Sequence, residues 1–452
     1  MGLLLNFVYL IVVIVTSPWL IYRLVVRGDH HGLMTRFGLG LGPGRENSIW
    51  LHGASAGEIA LLAPLVELFE RDMPATPIVI SAYSSTGLVA ARRAYPKHRV
   101  ILFPFDLTFV VSRFLTLFDP RLIVIVESDF WPNFLSAAQR QEIPVAVING
   151  KMSSKSFRRN ARMGLVPMLL RRISLLAIQT EEHAERFRQL GVPEDRLRVT
   201  GNMKYDLARP LVPPEQAAEI RVALGYSSDD VVIIGGSVHE REDAVLLEAF
   251  LSLAAEGLQG SLIIVPRYPR DAARVVQAVR AAGQAAVLKT TVDRGERPPP
   301  GPGGVLIVDT VGDLRSLYAV ADLAFVGGSL FFRGSNKGGH NLMEPAILGL
   351  PILFGPYHFS FRETVRELLG ADAAIEVHDG AQLEVALTSL VVNRERRLEL
   401  GARAREVVLR GQGATLRNYE LLISLLCSGR GRLPASAFDR TMPPTLSDQD
   451  SP

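Results

Sequence analysis

Short apolar runs alternate with amphipathic stretches along most of the chain. In the first half the runs cover residues 48–52, 77–81, 100–103, 122–126, 144–148 and 175–178; in the second half they cover 231–234, 261–265, 305–309, 323–326 and 351–354. Continuous short runs are typical of strands buried on both faces, and the helical stretches between them indicate parallel sheets covered by helices. The pattern predicts an α/β protein.

The length of 452 residues is enough for two large α/β domains. A proline-rich segment at 208–214 predicts a linker between a domain at 23–207 and a second domain at 215–427. The second domain is expected to end in C-terminal helices, with one long helix over 394–426, and 428–452 to be a disordered tail.

The first 22 residues predict where in the cell the protein lies. Residues 2–22 are apolar and uncharged, at about the length that crosses a bilayer. Arg23, Arg27 and Arg36 follow, so we expect residues 1–22 to be an anchor helix with the rest of the chain on the cytoplasmic side. An interfacial helix or a buried core helix is the alternative.

Composition and motifs exclude several classes of protein. A net charge of +3 suits a small acidic substrate or an anionic membrane surface better than nucleic acid. The single cysteine, Cys427, excludes intrachain disulfides. The sequence has no P-loop lysine motif, no dinucleotide fingerprint and no cluster with metal-ligand spacing, so we expect neither a metal nor another cofactor.

Glycine-rich loops follow strands of the second half. Gly338, Gly339 and His340 are predicted at the start of a helix, with Asn341 beside them and Glu344 one turn further on. Such a helix start can bind phosphate oxygens through backbone N–H groups, although Asn341 could equally be an ordinary helix cap. Loops at 235–237, 266–267, 311–313 and 338–344 would converge on one sheet edge.

Acidic residues follow strands of the first half. Glu58 is predicted in the first turn of a helix, where the dipole favours a carboxylate that can accept a proton, although Glu there is also common for stability alone. Glu127 and Asp129 follow the apolar strand predicted at 122–126. The basic stretch 151–172 could bind substrate phosphates or anionic lipid, or could simply be a solvated helix face.

Eight ordered motifs resemble those of one family. They are LHGASAGE, VESDFWPN, NGKMSSKSFRR, QTEEHAERF, TGNMKYD, IIVPRYP, DTVGDL and GGHNLMEPAILGLPILFGP. In this order they are similar to the motifs of the 3-deoxy-D-manno-octulosonic acid (Kdo) transferases, and the resemblance extends to about residue 425. The longer loop at 329–338, which adds Arg333 and Lys337, departs from the family pattern, as do Tyr268, Val311 and Asp129.

The resemblance implies two Rossmann-like domains facing across a cleft, the GT-B arrangement. It implies inverting transfer of Kdo from CMP-Kdo to a lipid A precursor at the inner membrane, in lipopolysaccharide synthesis, without a metal. Glu58 would be the general base, with Glu127 (in preference to Asp129) and Lys204 stabilising the transition state. The residues that would bind CMP are Pro266, Arg267, Val311, Gly312, Asp313, Asn341, Leu342, Met343 and Glu344.

Two alternatives stay open. The same motifs would fit a GT-B transferase with another nucleotide-activated sugar or acceptor. The second alternative is a catalytically silent binding protein with the same fold. The presence of Glu58, Lys204 and Arg267 together argues against it.

Overall fold

Two seven-stranded parallel sheets form the centres of two separate units. A computed structural model describes residues 30–42, 47–334 and 338–428. The first unit comprises the described residues up to Leu207 and those from Gln412 onward, and the second unit comprises Ala208–Gly411. The chain therefore changes units at the start of the predicted linker. The two parallel-sheet α/β units confirm the predicted fold class at this level.

The first sheet has the strand order β3-β2-β1-β4-β5-β6-β7. Its strands are β1 Ser48–Gly53, β2 Ile78–Ala82, β3 Arg99–Leu102, β4 Pro120–Val126, β5 Val145–Gly150, β6 Leu175–Ile178 and β7 Leu197–Val199. The helices are His30–Arg36, Ala56–Leu61, Ala63–Asp72, Ser85–Ala94, Thr108–Phe118, Pro132–Arg140, Ser154–Met163, Leu165–Leu170, Glu181–Gln189 and Ala414–Cys427, with 3-10 turns at Glu194–Arg196 and Tyr205–Leu207.

The second sheet has the order β10-β11-β9-β8-β12-β13-β14. Its strands are β8 Val232–Val238, β9 Ser261–Pro266, β10 Ala286–Leu288, β11 Val305–Ile307, β12 Leu323–Val326, β13 Ile352–Phe354 and β14 Ile375–Glu376. The helices are Pro214–Ala223, Glu242–Ala255, Ala272–Ala281, Lys289–Asp293, Leu314–Tyr318, Met343–Ile347, Arg362–Gly370, Gly380–Val392 and Arg394–Gly411, with 3-10 turns at Pro269–Asp271 and Phe359–Phe361.

Every predicted strand overlaps an observed one, because these strands are apolar on both faces. In β4, for example, the side chains from Leu122 to Val126 are all buried. The pattern did not indicate β7, β10 and β14, which have two or three residues each and are partly exposed. Strands this short contain too few buried positions to show a hydrophobic run.

An aromatic cluster stabilises the core of the first unit. Trp50 of β1 is fully buried, and its ring packs edge-on against Phe134 at 5.3 Å and Phe118 at 5.6 Å between centroids. Phe114 stacks on the same ring at 6.2 Å. Each such pair contributes about 0.5–1.5 kcal/mol beyond the area that it buries. The cluster fixes the position of β1, and with it the start of the segment that follows β1.

The predicted long helix over 394–426 is wrong, and so is its place in the second domain. The chain forms two helices, separated at Gly413, whose φ of +90° favours glycine. The Asp206 carboxylate accepts from the N–H groups of Gly413 (2.6 Å) and Thr415 (2.5 Å), so it caps the last helix. That helix packs its apolar face on the first unit, which moves residues 412–427 out of the predicted 215–427 domain.

The predicted anchor at residues 1–22 lies outside the described residues, and so does the predicted tail at 428–452 except for Ser428. Among the helices that are described, none combines the length and the apolarity needed to span a bilayer.

Candidate active site

The acidic residues of the first unit meet at the point where its strand order reverses. β1 lies between β2 and β4, and ligands of parallel α/β sheets bind outside the carboxyl ends of strands at such a point. Glu58 follows β1, whereas Glu127 and Asp129 follow β4. The fold therefore places three carboxylates at one edge of the sheet.

Glu58 lies in the first turn of the helix Ala56–Leu61, as predicted. Ser55 caps the helix and accepts from the Glu58 N–H at 3.3 Å. The Glu58 carboxylate accepts from the Ala54 N–H at 2.8 Å and from the Ser55 hydroxyl at 3.0 Å. These bonds form a reciprocal cap similar to a capping box, which holds the carboxylate in one orientation.

The pKa of Glu58 is raised above its usual value, chiefly because partial burial disfavours the charged form. The negative charge of Glu127 raises it further, and the bonds from Ala54 and Ser55 oppose the shift only in part. The expectation that the helix dipole favours the ionised form is therefore outweighed by burial. A carboxylate with a raised pKa is the stronger proton acceptor.

Glu127 is held by a lysine that sequence reasoning did not pair with it. Its backbone lies in the left-handed region, with φ of +66°, directly after β4. Lys151, directly after β5, donates from Nζ to Glu127 Oε1 at 2.7 Å. The ion pair joins the ends of two neighbouring strands. Lys151 had been noted only as part of the basic stretch.

Asp129 is held by a buried histidine that sequence reasoning missed. His52 of β1 is completely buried, and its Nε2 lies 3.0 Å from Asp129 Oδ2. On the other side, Ser81 Oγ lies 2.8 Å from His52 Nδ1 and 2.7 Å from Trp50 Nε1. The indole N–H donates to Ser81 Oγ, the Asp129 carboxylate accepts from His52 Nε2–H, and His52 Nδ1 also lies 3.2 Å from the Ser81 carbonyl oxygen. The motif LHGASAGE contained this histidine without indicating its partner.

Lys204 follows β7 and lies further along the same sheet edge. Asn149, at the end of β5, accepts from the Met203 N–H at 2.9 Å and so holds this turn beside β5. Asn202 accepts from the Lys204 N–H at 3.1 Å. The role assigned to Lys204 stays a prediction.

The helix Ser154–Met163 presents the predicted basic face. Ser153 caps it and accepts from the Ser156 N–H at 3.2 Å, while Phe157 packs against the core. Four basic side chains of this helix are exposed and form no ion pair within the part of the chain that the structure describes: Lys155, Arg158, Arg159 and Arg162.

In the second unit the strand order reverses between β8 and β12, and the predicted loop residues follow β9, β11 and β12 at the same edge of the sheet. Pro266 is the buried last residue of β9, and exposed Arg267 follows it. The Arg267 N–H donates to the Val238 carbonyl at 2.8 Å, which fixes this turn beside the end of β8. The side chain is therefore available at the edge of the sheet, as predicted.

The predicted turn at 235–237 is wrong, because β8 continues to Val238 with an irregularity at Ser237. Its glycines serve packing. A Cβ on Gly236 would lie 2.0 Å from the Tyr318 hydroxyl oxygen, and one on Gly235 would lie 2.3 Å from Leu246 Cδ2. These glycines let a helix on each face approach the sheet.

The helix predicted at 338–341 begins later, at Met343, and has five residues. Asn341 Oδ1 accepts from the Met343 N–H at 3.1 Å, and Asn341 Nδ2 donates to Glu344 at 3.2 Å. Leu342 and Met343 have buried side chains, so only their backbone can face a ligand. Burial raises the pKa of Glu344, against the effect of Arg315.

The loop after β11 carries the remaining predicted residues. Val311 is 87% exposed, and Gly312 has a φ of +106°. Asp313 occupies the position before the helix Leu314–Tyr318, accepts from the Thr310 hydroxyl and pairs with Lys289 Nζ at 3.3 Å. The exposed apolar side chain and the adjoining backbone form an open surface at this end of β11.

One buried carboxylate organises the loops around β8 and β12. Glu242, which is 1% exposed, accepts from four backbone N–H groups at 2.7–2.9 Å. These belong to His239, Gly328, Ser329 and Leu330. The sequence did not indicate that Glu242 is buried, because an acidic residue at the start of a helix is usually exposed. Within the described ranges no group of side chains has the composition of a metal site.

Comparison with known proteins agrees with this arrangement. A family model described as 3-Deoxy-D-manno-octulosonic-acid transferase (kdotransferase) matches residues 31–207. The 3-deoxy-D-manno-octulosonic acid transferase of Bordetella pertussis is 31% identical over 389 residues, which span 83% of this chain and 86% of that protein. The chain belongs to the Kdo transferase family. A Kdo transferase of Chlamydophila psittaci is 31% identical to it over 395 residues, with 84% and 86% covered.

Solved structures resemble this Kdo transferase in fold. A UDP-N-acetylglucosamine 2-epimerase has a TM-score of 0.55 at 12% identity, covering 86% of this chain and 98% of the epimerase. MurG of Acinetobacter baumannii has a TM-score of 0.51 at 13% identity, covering 84% and 99%. At these identities the likeness supports the fold alone.

Proposed function

We propose that this member of the Kdo transferase family transfers Kdo from CMP-Kdo to a lipid A precursor, in the synthesis of lipopolysaccharide. Two relatives that each span more than four-fifths of the chain are Kdo transferases. The observation that carries the proposal in this chain is Glu58, a carboxylate held in one orientation at the reversal point of the first sheet. The GT-B arrangement across a cleft stays an expectation from the resemblance.

In the proposed reaction Glu58 accepts the proton of the acceptor hydroxyl. The hydroxyl oxygen forms a bond to the anomeric carbon of Kdo, and the bond from that carbon to the phosphate oxygen of CMP breaks. CMP leaves with the electron pair, and the configuration inverts. The raised pKa of Glu58 suits it to this proton transfer, which requires the ionised form before the attack.

The Lys151–Glu127 and His52–Asp129 pairs support the acceptor side of the proposal. Each carboxylate keeps oxygen lone pairs that can accept from sugar hydroxyl groups. Asp129 is 26% exposed and Glu127 15% exposed, so both can meet a ligand at the edge of the sheet.

For the donor side, we propose that the turn at Arg267, the loop at 311–313 and the turn at 341–344 bind CMP. Arg267 would pair with phosphate oxygens. Exposed Val311 and the backbone around Gly312 offer an apolar surface for a base, and Glu344 with Asn341 offers acceptors and a donor for ribose or base.

We propose that the protein works at the cytoplasmic face of the inner membrane, held there by residues 1–22. The helix Ser154–Met163 supports this, because its four exposed basic side chains suit anionic lipid or the phosphates of the acceptor. Each basic side chain near an anionic surface contributes about 1 kcal/mol at moderate ionic strength.

The test is transfer by the purified, detergent-solubilised protein, with CMP-Kdo generated in situ, a tetraacylated lipid A precursor, and EDTA present. Mass spectrometry should find acceptor masses increased by one or more Kdo units, which counts the additions as well. CMP binding without any product would indicate another sugar or acceptor. The absence of both would contradict the proposal.

A further inference from the structure

Two histidines and two arginines lie together at the reversal point of the second sheet. His239 follows β8, and His340 precedes the helix Met343–Ile347. Their rings stack at 5.3 Å with an interplanar angle of 16°, and their Nε2 atoms are 3.0 Å apart. Arg333 of the loop after β12 donates to the same Nε2 of His239.

The hydrogen bonds fix the roles of the ring nitrogens. A guanidinium can only donate, so His239 Nε2 is an acceptor and its proton is on Nδ1. His340 then donates its Nε2–H to the same atom of His239. A neutral imidazole nitrogen has one lone pair, and here two donors share it. One of the two is therefore in excess and can turn to another acceptor.

The surroundings of the pair are positively charged. Burial together with Arg333 and Arg267 lowers the pKa of His239 to about 4, and burial, His239 and the same two arginines lower that of His340 to about 4. In the described part of the chain no carboxylate forms an ion pair with Arg267 or Arg333. The Glu242 carboxylate, which accepts from the His239 N–H, also accepts from three other backbone N–H groups.

The loop is built so that His340 can reach this place. A Cβ on Gly328 would lie 2.8 Å from His340 Nε2, so only glycine leaves room for the ring. The Gly339 N–H donates to the Gly328 carbonyl at 2.6 Å, which ties the two loops together. Tyr268 packs edge-on against His239 at 6.0 Å, and Arg270 lies over the Tyr268 ring.

We infer that His239, His340, Arg267 and Arg333 form one anion-binding site, and that the site takes a negatively charged group of the nucleotide sugar. This rests on the proposed function and adds three residues that the motif comparison did not assign to the donor: His239, His340 and Arg333. Arg333 and Arg267 supply charge, and His340 supplies a neutral N–H donor. The donor has two groups of the required chemistry, its phosphate diester and its sugar carboxylate.

The test compares wild type with Arg333→Gln and with His340→Gln, and uses Arg280→Gln as the matched control. Arg333 and Arg280 are both exposed in the second unit, so neither substitution threatens folding. Calorimetry measures the binding of CMP and of cytidine, and steady-state transfer measures the KM of CMP-Kdo and of the lipid acceptor.

We expect Arg333→Gln and His340→Gln to weaken CMP about ten-fold while cytidine binding is unchanged, if the site takes the phosphate. If it takes the carboxylate, CMP binding stays and the KM of CMP-Kdo rises about ten-fold. Unchanged CMP binding and an unchanged KM of CMP-Kdo in both variants would overturn the inference, as would a rise confined to the KM of the acceptor. Wild-type protein that binds no CMP would instead contradict the proposed function itself.

Discussion

Lys151 Nζ lies 2.7 Å from Glu127 Oε1, across the ends of β5 and β4. The lysine is 37% exposed and the glutamate 15%, so the pair is partly shielded from water. The positive charge compensates a carboxylate whose field acts on Glu58. The ion pair thus connects a residue of the basic stretch to the acid–base residue of the proposed reaction.

Lys151→Gln should shift the pH dependence of transfer to higher pH. Without Lys151 the charge of Glu127 is uncompensated, and that charge raises the pKa of Glu58. Because the base must be ionised, kcat/KM rises with pH through this pKa, and a higher pKa moves the acidic limb upward. Glu127→Gln should move the limb downward. Lys97→Gln, an exposed position before β3, is the control, and a pH profile identical in all variants would contradict the coupling.

Glu58→Gln should lower kcat by about 10²–10⁴-fold, the usual contribution of a general base, while CMP affinity stays within two-fold. The amide has the same shape and cannot accept the proton. Steady-state transfer measures kcat, and calorimetry measures the affinity for CMP. Normal turnover by this variant would remove Glu58 from the mechanism.

Glu242→Gln should destabilise the protein by about 3 kcal/mol or more, because the amide cannot accept all four N–H bonds and leaves buried donors unpaired. Urea unfolding measures the loss. Glu248→Gln, an exposed position of the same helix, is the control and should stay within about 0.5 kcal/mol of wild type. Equal stability of the two variants would show that Glu242 does not organise the loops.

Acid should weaken the fold between about pH 6.5 and pH 4 through His239 and His340. Their pKa values of about 4 lie below the usual 6.5, so the unfolded chain binds more protons in this range. Their stabilisation is therefore complete above pH 6.5 and is lost as the pH falls towards 4. Melting temperatures across this range should decline more steeply in wild type than in His340→Gln. Parallel curves would contradict the assignment.

Gly236→Ala should destabilise the protein by about 1–3 kcal/mol, the usual cost of overpacking a core. The added methyl group would lie 2.0 Å from the Tyr318 hydroxyl oxygen, and the tyrosine is fully buried. Gly370→Ala is the control, because nothing lies within 4 Å of the added carbon and the residue ends a helix. Thermal unfolding should separate the two variants clearly; similar melting temperatures would contradict the packing role of Gly236.

The sequence alone determined what depends on local pattern. Strands buried on both faces are continuous apolar runs, so β4 and β12 were predictable. Parallel strands bring their carboxyl ends to one edge, so it was predictable that Glu58 and the residues after β4 would share that edge, whereas the pairing of β1 with β4 was not. The order of the motifs then indicated the family.

Tertiary structure decided what depends on partners distant along the chain. His52 and Asp129 are 77 residues apart, and Glu242 is 86 residues from Gly328, so no local pattern reports either contact. The last helix follows the second unit in sequence, yet it packs on the first because Asp206 caps it there and its apolar face completes that core. Hydrophobic periodicity shows that a helix has a face to bury. Only the assembled fold decides which surface covers it, because that choice depends on complementary groups that the chain brings together from far apart.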